Sequence, residues 1–241
     1  MTTVGRAVHG FRHRAETYSS IATMGGAIAL AAYSYASIPA KLLSVHSNTF
    51  TALRWASPVL WTAFFVSIVV VIPPKGVEPF VSPLEARPWI RRAGTVLIWF
   101  FGLAQLWVIS LLVHFLLHNK VTNNGTDLIH IAARIEGTTV VVASFAFWLL
   151  DRGGPIARQE GLPHDADFLW PQNENPQFAP KNWAPSYLDY LFVSFTNGIA
   201  FSPTDTMPLT SRMKMVMMVE AGASAITLIL VAARAVNILN T

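Results

Sequence analysis

The chain has 241 residues, 53% of them hydrophobic and only 12% charged, about half the charged share of an ordinary soluble domain. No soluble core of this size needs so much apolar surface, so the composition points to a polytopic membrane protein. The absence of cysteine excludes disulfides, zinc–thiolate sites and thiol catalysis. The formal charge of +4 comes with no basic cluster interleaved with aromatics, which argues against a nucleic-acid partner.

Residues 1–17 are polar, with Arg6, Arg12 and Arg14, and lead into an apolar stretch over 18–37. A signal peptide shares that layout, but this stretch is longer than a signal core and ends without a small-x-small cleavage site, so it is read as a retained first span. A second span is expected over 53–72, with Pro58 in its first turns, where proline is tolerated. The loop over 73–92 holds five prolines with Lys75, Arg87, Arg91 and Arg92, and its basic charge marks it as cytoplasmic. A third span over 93–117, a short polar turn and a fourth span over 128–150 follow.

Residues 151–185 form the one substantial polar piece, with six prolines, three Lys/Arg and five Asp/Glu. They show neither a strand nor a helix period, so an extended, proline-braced loop is expected on the membrane surface or against the bundle. Trp170, Trp183 and Tyr187 can anchor it at the headgroups.

The end of the chain has a different rhythm. A short apolar segment over 187–201 precedes the polar turn SPTDTMPLT, where Pro203 and Pro208 break helix and Asp205 stands between them. After Arg212 and Lys214 comes a proline-free apolar run over 215–239, long enough to span. Half-length segment, polar turn and full span together suggest a re-entrant loop leading into a pore-lining helix.

The sequence SFTNGIAFSPTDTMP resembles the pore module of bacterial two-helix potassium channels, SFTTLTTVGYGD followed two residues later by proline. Ser194, Phe195, Thr196, Asp205 and Pro208 fall on matching positions, and Glu220 and Gly222 follow at similar distances. The resemblance implies a pore loop through Thr196, Asn197, Ala200, Phe201, Ser202, Pro203, Thr204, Asp205 and Pro208. It does not imply potassium selectivity. AFSPT replaces the TVGYG filter, both filter glycines are missing, and proline, with no N–H and a fixed φ, sits in the middle. Over almost the whole chain, the blocks LLDRGGP, ADFLWPQ, SFTNGIAFSPTDTMPLT and VAARAVNIL are similar to those of an uncharacterised family of bacterial integral-membrane proteins. That likeness implies an architecture and an inner-membrane location, and no activity.

Charge and length disagree on one point. With the N-terminus inside, the basic loops and the 151–185 loop are cytoplasmic, whereas potassium-channel pore loops enter from outside. Either 187–201 spans, giving six helices with both ends inside, or it re-enters from an unusual side.

Ionisable residues inside apolar helices are the next candidates, because each costs at least about 3 kcal/mol at membrane depth unless paired or facing a cavity. Glu220 can brace the pore loop by accepting hydrogen bonds, or pair with Lys214 or an arginine of another helix. Arg134 and Glu136 are two apart and cannot face each other, so they take partners from other helices or snorkel to the interface. Arg234 suits the helix dipole at its C-terminal end. His114 and His118 have the i, i+4 spacing of metal ligands, but no acid flanks them and a third ligand is missing, so no metal is expected. Ser202, Thr204, Asp205 and Thr206 have no histidine base or phosphate loop beside them, so no catalytic residue and no enzyme activity is expected. In a plainer account Asp205 caps the turn and the two prolines set its shape. The methionines from Met213 to Met218 read as adaptable packing.

The expected protein is an all-α polytopic membrane protein without a cofactor. It comprises a four-helix membrane region (1–150), a proline-rich surface loop (151–186), and a module of short segment, turn and final transmembrane helix (187–241). Two functions fit: an oligomeric pore-loop channel or permease for an inorganic ion or small solute, or a non-conducting membrane scaffold that retains the fold.

Overall fold

The computed structural model describes residues 83–117, 125–159, 162–181, 183–200 and 205–239; the first two expected spans lie outside them. Helix α1 runs Pro83–Leu117, ten residues longer than the expected third span because the end of the basic loop is itself helical. Pro83 stands at the first helical position, where its missing N–H costs nothing, and Leu84 to Arg87 are good helix formers. Pro88 is carried inside the helix. At 35 residues the helix is about 52 Å long, so its first turns extend beyond a hydrocarbon core of about 30 Å.

Helix α2, Gly125–Leu150, matches the expected fourth span. Every residue from Thr138 to Leu149 is buried, which is the pattern of a helix surrounded by others. Beyond it lie a 3-10 turn, Asp151–Gly153, and short helix α3, Pro155–Gln159. The chain reverses there through three consecutive left-handed residues, Arg152 (φ 49°), Gly153 (φ 75°) and Gly154 (φ 96°). The glycines take that conformation without a Cβ clash, which is the physical content of the DRGGP block.

The rest of the segment expected as a loop carries only short pieces of regular structure, strand β1, Phe168–Leu169, and one turn of helix α4, Pro171–Glu174. Helix α5, Tyr187–Ile199, follows, then strand β2, Met207–Pro208, and the long helix α6, Ser211–Leu239. The strands pair antiparallel, Phe168 with Pro208 and Leu169 with Met207.

Among the described residues, three helices are long and apolar enough to cross a membrane, over Arg91–His114, Leu128–Gly153 and Ser211–Arg234. Helix α2 is the central one, with α1, α5 and α6 packed around it. On α1, the exposed Val96, Trp99, Leu103 and Trp107 form an apolar stripe at helical spacing. Exposed Met215, Met218, Ile226 and Ile229 do the same on α6. These faces suit lipid.

Contacts fix the direction of each helix. Along α5, Tyr187 meets Ser144 of α2, Ser194 meets Val140, and Gly198 lies against Glu136, so α5 runs antiparallel to α2. Against α6, Ser194 meets Glu220 and Gly198 lies beside Ser224, so α5 and α6 run parallel. Arg212, at the start of α6, bonds Leu150 C=O at the end of α2. Helices α5 and α6 therefore both start at the end of the bundle that carries the 151–185 loop.

Candidate functional site

Two polar clusters stand out, one at the loop end of the bundle and one in its core. The first is built on two buried aspartates. Asp167 Oδ1 accepts from Thr210 Oγ1 (2.6 Å) and Arg212 Nε (2.9 Å). Its Oδ2 accepts from Arg212 Nη2 (2.5 Å) and the Arg152 N–H (3.2 Å). Burial alone would raise the Asp167 pKa, but the Arg212 guanidinium, the Thr210 hydroxyl and the Arg152 N–H outweigh it and hold the carboxyl below its usual value. Asp151 Oδ1 accepts the Asp167 N–H (3.0 Å) and its Oδ2 accepts the Tyr190 hydroxyl (2.6 Å). Arg158 donates to Asp151 C=O (2.6 Å) and lies over the rings of Tyr190 (5.2 Å) and Trp148 (5.9 Å).

Aromatic packing closes this end. Phe168, Trp170 and Tyr190 are buried together, with Trp170 edge-on to Tyr190 at 5.2 Å and to Trp183 at 5.8 Å. Each such ring pair adds about 0.5–1.5 kcal/mol beyond its burial. Trp170 and Tyr187, expected as headgroup anchors, are instead core residues; Trp183 is half-buried beside them. The loop end is thus a lock that joins the end of α2, the loop, β2 and the start of α6.

The second cluster lies deeper. Glu136 on α2 and Glu220 on α6 are both buried, against the face of α5 that carries Ser194, Asn197 and Gly198. Ser224 Oγ donates to Glu136 Oε1 (2.7 Å), while Glu136 Oε2 is buried with no hydrogen-bond partner among the described residues. Glu220 Oε1 meets Ser194 Oγ, and Oε2 accepts from Asn197 Nδ2 (2.8 Å), which also reaches Met217 C=O (3.0 Å). Gly198 makes the close approach possible: a Cβ there would stand 3.0 Å from both Glu136 Oε1 and Ser224 Oγ. Neighbouring Gln105 of α1 donates to Ile135 C=O and Thr139 Oγ1, both at 2.9 Å, tying α1 to α2 at about the same level.

The described residues of the expected pore loop make contacts of several kinds. Asn197 belongs to the carboxylate cluster. Thr196 is half-buried and bonds back to Phe192 and Val193 of its own helix. Ala200 is exposed at the helix C-cap, and Asp205 is exposed. Pro208 pairs in β2 with the loop strand. Phe201, Ser202, Pro203 and Thr204 lie outside the described residues. Of the two alternatives for Glu220, its partners among the described residues are those of a brace on α5, Ser194 and Asn197, rather than Lys214 or an arginine. Glu136 does not snorkel; it is buried in the bundle. Arg134, two residues away, is half-buried. His114 is exposed, His118 lies outside the described residues, and no group of three metal-ligating side chains occurs among those described.

Sequence reasoning gave no role to Asp151, Asp167, Tyr190 or Thr210, and met Ser194 only as a position matching the pore module and Arg212 only as a flank of the last span. Asp151 and Asp167 were legible only as members of the DRGGP and ADFLWPQ blocks. A cap signal was there too. Ser186 and Asp189 have capping-box spacing, and Asp189 Oδ2 accepts from the Ser186 N–H and hydroxyl, each at 2.7 Å. Compared with protein-family models, with curated proteins and with solved structures, the chain matches none.

Proposed function

We propose that the chain is a multi-pass protein of the bacterial inner membrane in which α5 re-enters the bilayer and, with α6, forms one wall of an oligomeric pore or permease for an inorganic ion or small solute. One observation carries this reading: α5 and α6 are parallel and start at the same end of the bundle. A helix that spanned would deliver the chain to the opposite end. Here 13 residues descend about 20 Å, less than the hydrocarbon thickness, and the chain is back at the loop end by Met207. Seven residues, 201–207, reach at most about 25 Å, enough for the return. Irregular backbone at that depth is tolerated where protein buries it or where it lines a water-filled cavity.

One re-entrant segment and one inner helix cannot enclose a path, so the reading requires a closed ring of subunits. The turn carries no potassium filter, and Asp205 supplies negative charge at its mouth, favouring cations. The test combines mass measurement in nanodiscs with tracer-ion flux in liposomes. A ring of subunits whose cation flux changes in Asp205→Asn is the expected result. A strict monomer with no flux for any ion sinks it.

The second reading, a non-conducting scaffold, draws support from the loop-end lock. Asp151, Asp167 and Thr210, from the most distinctive sequence blocks, and Arg212 just beyond them all serve to close the fold. It requires no ring and no flux.

A further inference from the structure

Glu136 is only 6% exposed and carries an oxygen that no described residue satisfies. Its Oε1 accepts from Ser224 Oγ at 2.7 Å, but Oε2 is buried without a partner. A buried acceptor left in that state is costly, and more so when it is charged. The carboxyl is turned toward α5 and α6, not toward lipid. The space where a Cβ on Gly198 would stand has two oxygens as its nearest neighbours, Glu136 Oε1 and Ser224 Oγ, each at 3.0 Å. A second acid stands about one helical turn away. Glu220 precedes Ser224 by four residues on α6, so the two share a face with Cβ atoms about 5–6 Å apart. Glu220 is 3% exposed; its Oε1 meets Ser194 Oγ and its Oε2 accepts from Asn197 Nδ2.

Among the described residues, every side chain that hydrogen-bonds either carboxyl is neutral: Ser194, Asn197 and Ser224. Neither glutamate has a described Lys, Arg or His within ion-pair distance. Arg212 is engaged with Asp167, and Lys214 is exposed in the first turn of α6. Both acids lie inside membrane-crossing segments, where a carboxylate pair without a positive partner is unfavourable. The oxygens here can still coordinate an ion. A carboxylate oxygen that accepts one hydrogen bond keeps a second lone pair, and a serine hydroxyl that donates its hydrogen keeps two. Asn197 and Gly198 also lie in the last turn of α5, where the negative end of the helix dipole favours a cation.

We propose that the bundle core binds one hard divalent cation, with Glu136 and Glu220 as its anionic ligands and the hydroxyl oxygens of Ser194 and Ser224 beside them. Ligand chemistry sets the class. Oxygen donors without histidine or cysteine select ions of the calcium, magnesium and manganese kind over zinc or copper. Two carboxylates balance one double charge, whereas a monovalent ion leaves one of them unmatched. The described residues hold no set of three acids, histidines or cysteines, so neutral oxygens complete the shell. Glu136 is on α2, Ser194 on α5 and Glu220 on α6, so the ion ties three helices at one point. That serves a pore and a scaffold alike, and the site does not rest on the pore reading.

Mn2+ is the probe, because its paramagnetic resonance signal is lost on binding. Tag-free, full-length protein is stripped with chelator and titrated in nanodiscs of uncharged phosphatidylcholine, with empty nanodiscs as the blank. The wild-type chain is expected to take up one Mn2+, displaced by Ca2+ or Mg2+ but not by Na+ at equal ionic strength. Its thermal unfolding should move upward as the site fills. Glu136→Gln and Glu220→Gln should each weaken Mn2+ binding at least about tenfold. Both amides keep a C=O for the existing donor, Ser224 or Asn197, so both variants should unfold no earlier than the metal-free parent; either one suffices if the other fails to fold. Glu174→Gln, at an exposed acid of the loop, should bind as the parent does. A wild-type chain with no saturable uptake overturns the proposal, whatever the variants do. Unchanged binding in the glutamine variants at 136 and 220, or loss in Glu174→Gln, places the ion elsewhere and overturns it too. Displacement by Na+ would assign the site to a monovalent ion and refute the divalent one.

Discussion

Replacing Asp167 by asparagine tests the loop-end lock. The carboxylate accepts four hydrogen bonds, two at each oxygen, from Thr210, Arg212 and the Arg152 N–H. Asparagine retains one oxygen and points an NH2 at two donors. Two bonds to a charged acceptor are lost, worth about 1.5–3 kcal/mol each before solvent is considered. Breaking a fully buried ion pair costs about 3–5 kcal/mol, but the Arg212 side chain is 51% exposed and water can take over its lost contacts. The expected destabilisation is therefore about 2–3 kcal/mol, measured by equilibrium unfolding in mixed micelles with tryptophan fluorescence. The sign of the pH dependence follows from the depressed Asp167 pKa. Its contribution is fully present above the unfolded value of about 3.9 and lost as pH falls through the lower folded value. Parent and variant should thus converge in acid. A cycle with Arg212→Met should give a coupling of about 1–3 kcal/mol. A variant within about 0.5 kcal/mol of the parent at neutral pH would refute the lock.

Gly198→Ala should cost about 1–3 kcal/mol and lower yield by forcing Ser224 and Glu136 apart, whereas Gly222→Ala, whose Cβ meets nothing, should be neutral or stabilise by up to about 1 kcal/mol. Gly153→Ala should cost at least about 1–2 kcal/mol, since its φ is left-handed and the new Cβ meets the His164 ring; comparison of unfolding midpoints checks it. Cysteines placed singly at the exposed Asp165 and Asn173 should resist an impermeant thiol reagent in intact cells and react after lysis. Labelling without lysis would put the loop outside and reverse the orientation read from the basic loops.

Membrane class was legible from the one-letter sequence because apolar length and charge scarcity are one-dimensional properties. The spans expected over 93–117 and 128–150 are contained in Pro83–Leu117 and Gly125–Leu150 for that reason. The shortness of α5 was legible too, bounded by prolines on both sides. Which way α5 points was not, since a 13-residue apolar segment fits a short span and a re-entrant helix equally. Only its contacts with Ser144, Val140 and Glu220 decide that it runs antiparallel to α2 and parallel to α6. The same holds for the charges. Sequence places Glu136 and Glu220 84 positions apart, in helices whose rotation it does not specify. Gly198, having no side chain, lets α5 approach Glu136 and Ser224, and tertiary packing thereby brings two separate glutamates against one helix. Asp167 and Arg212 show the lesson at the loop: proline and polar composition predicted an irregular segment, but an ion pair spanning 45 residues holds it to the start of α6. Local propensity sets which segments are helices; long-range hydrogen bonds, invisible to any periodicity, set what those helices hold between them.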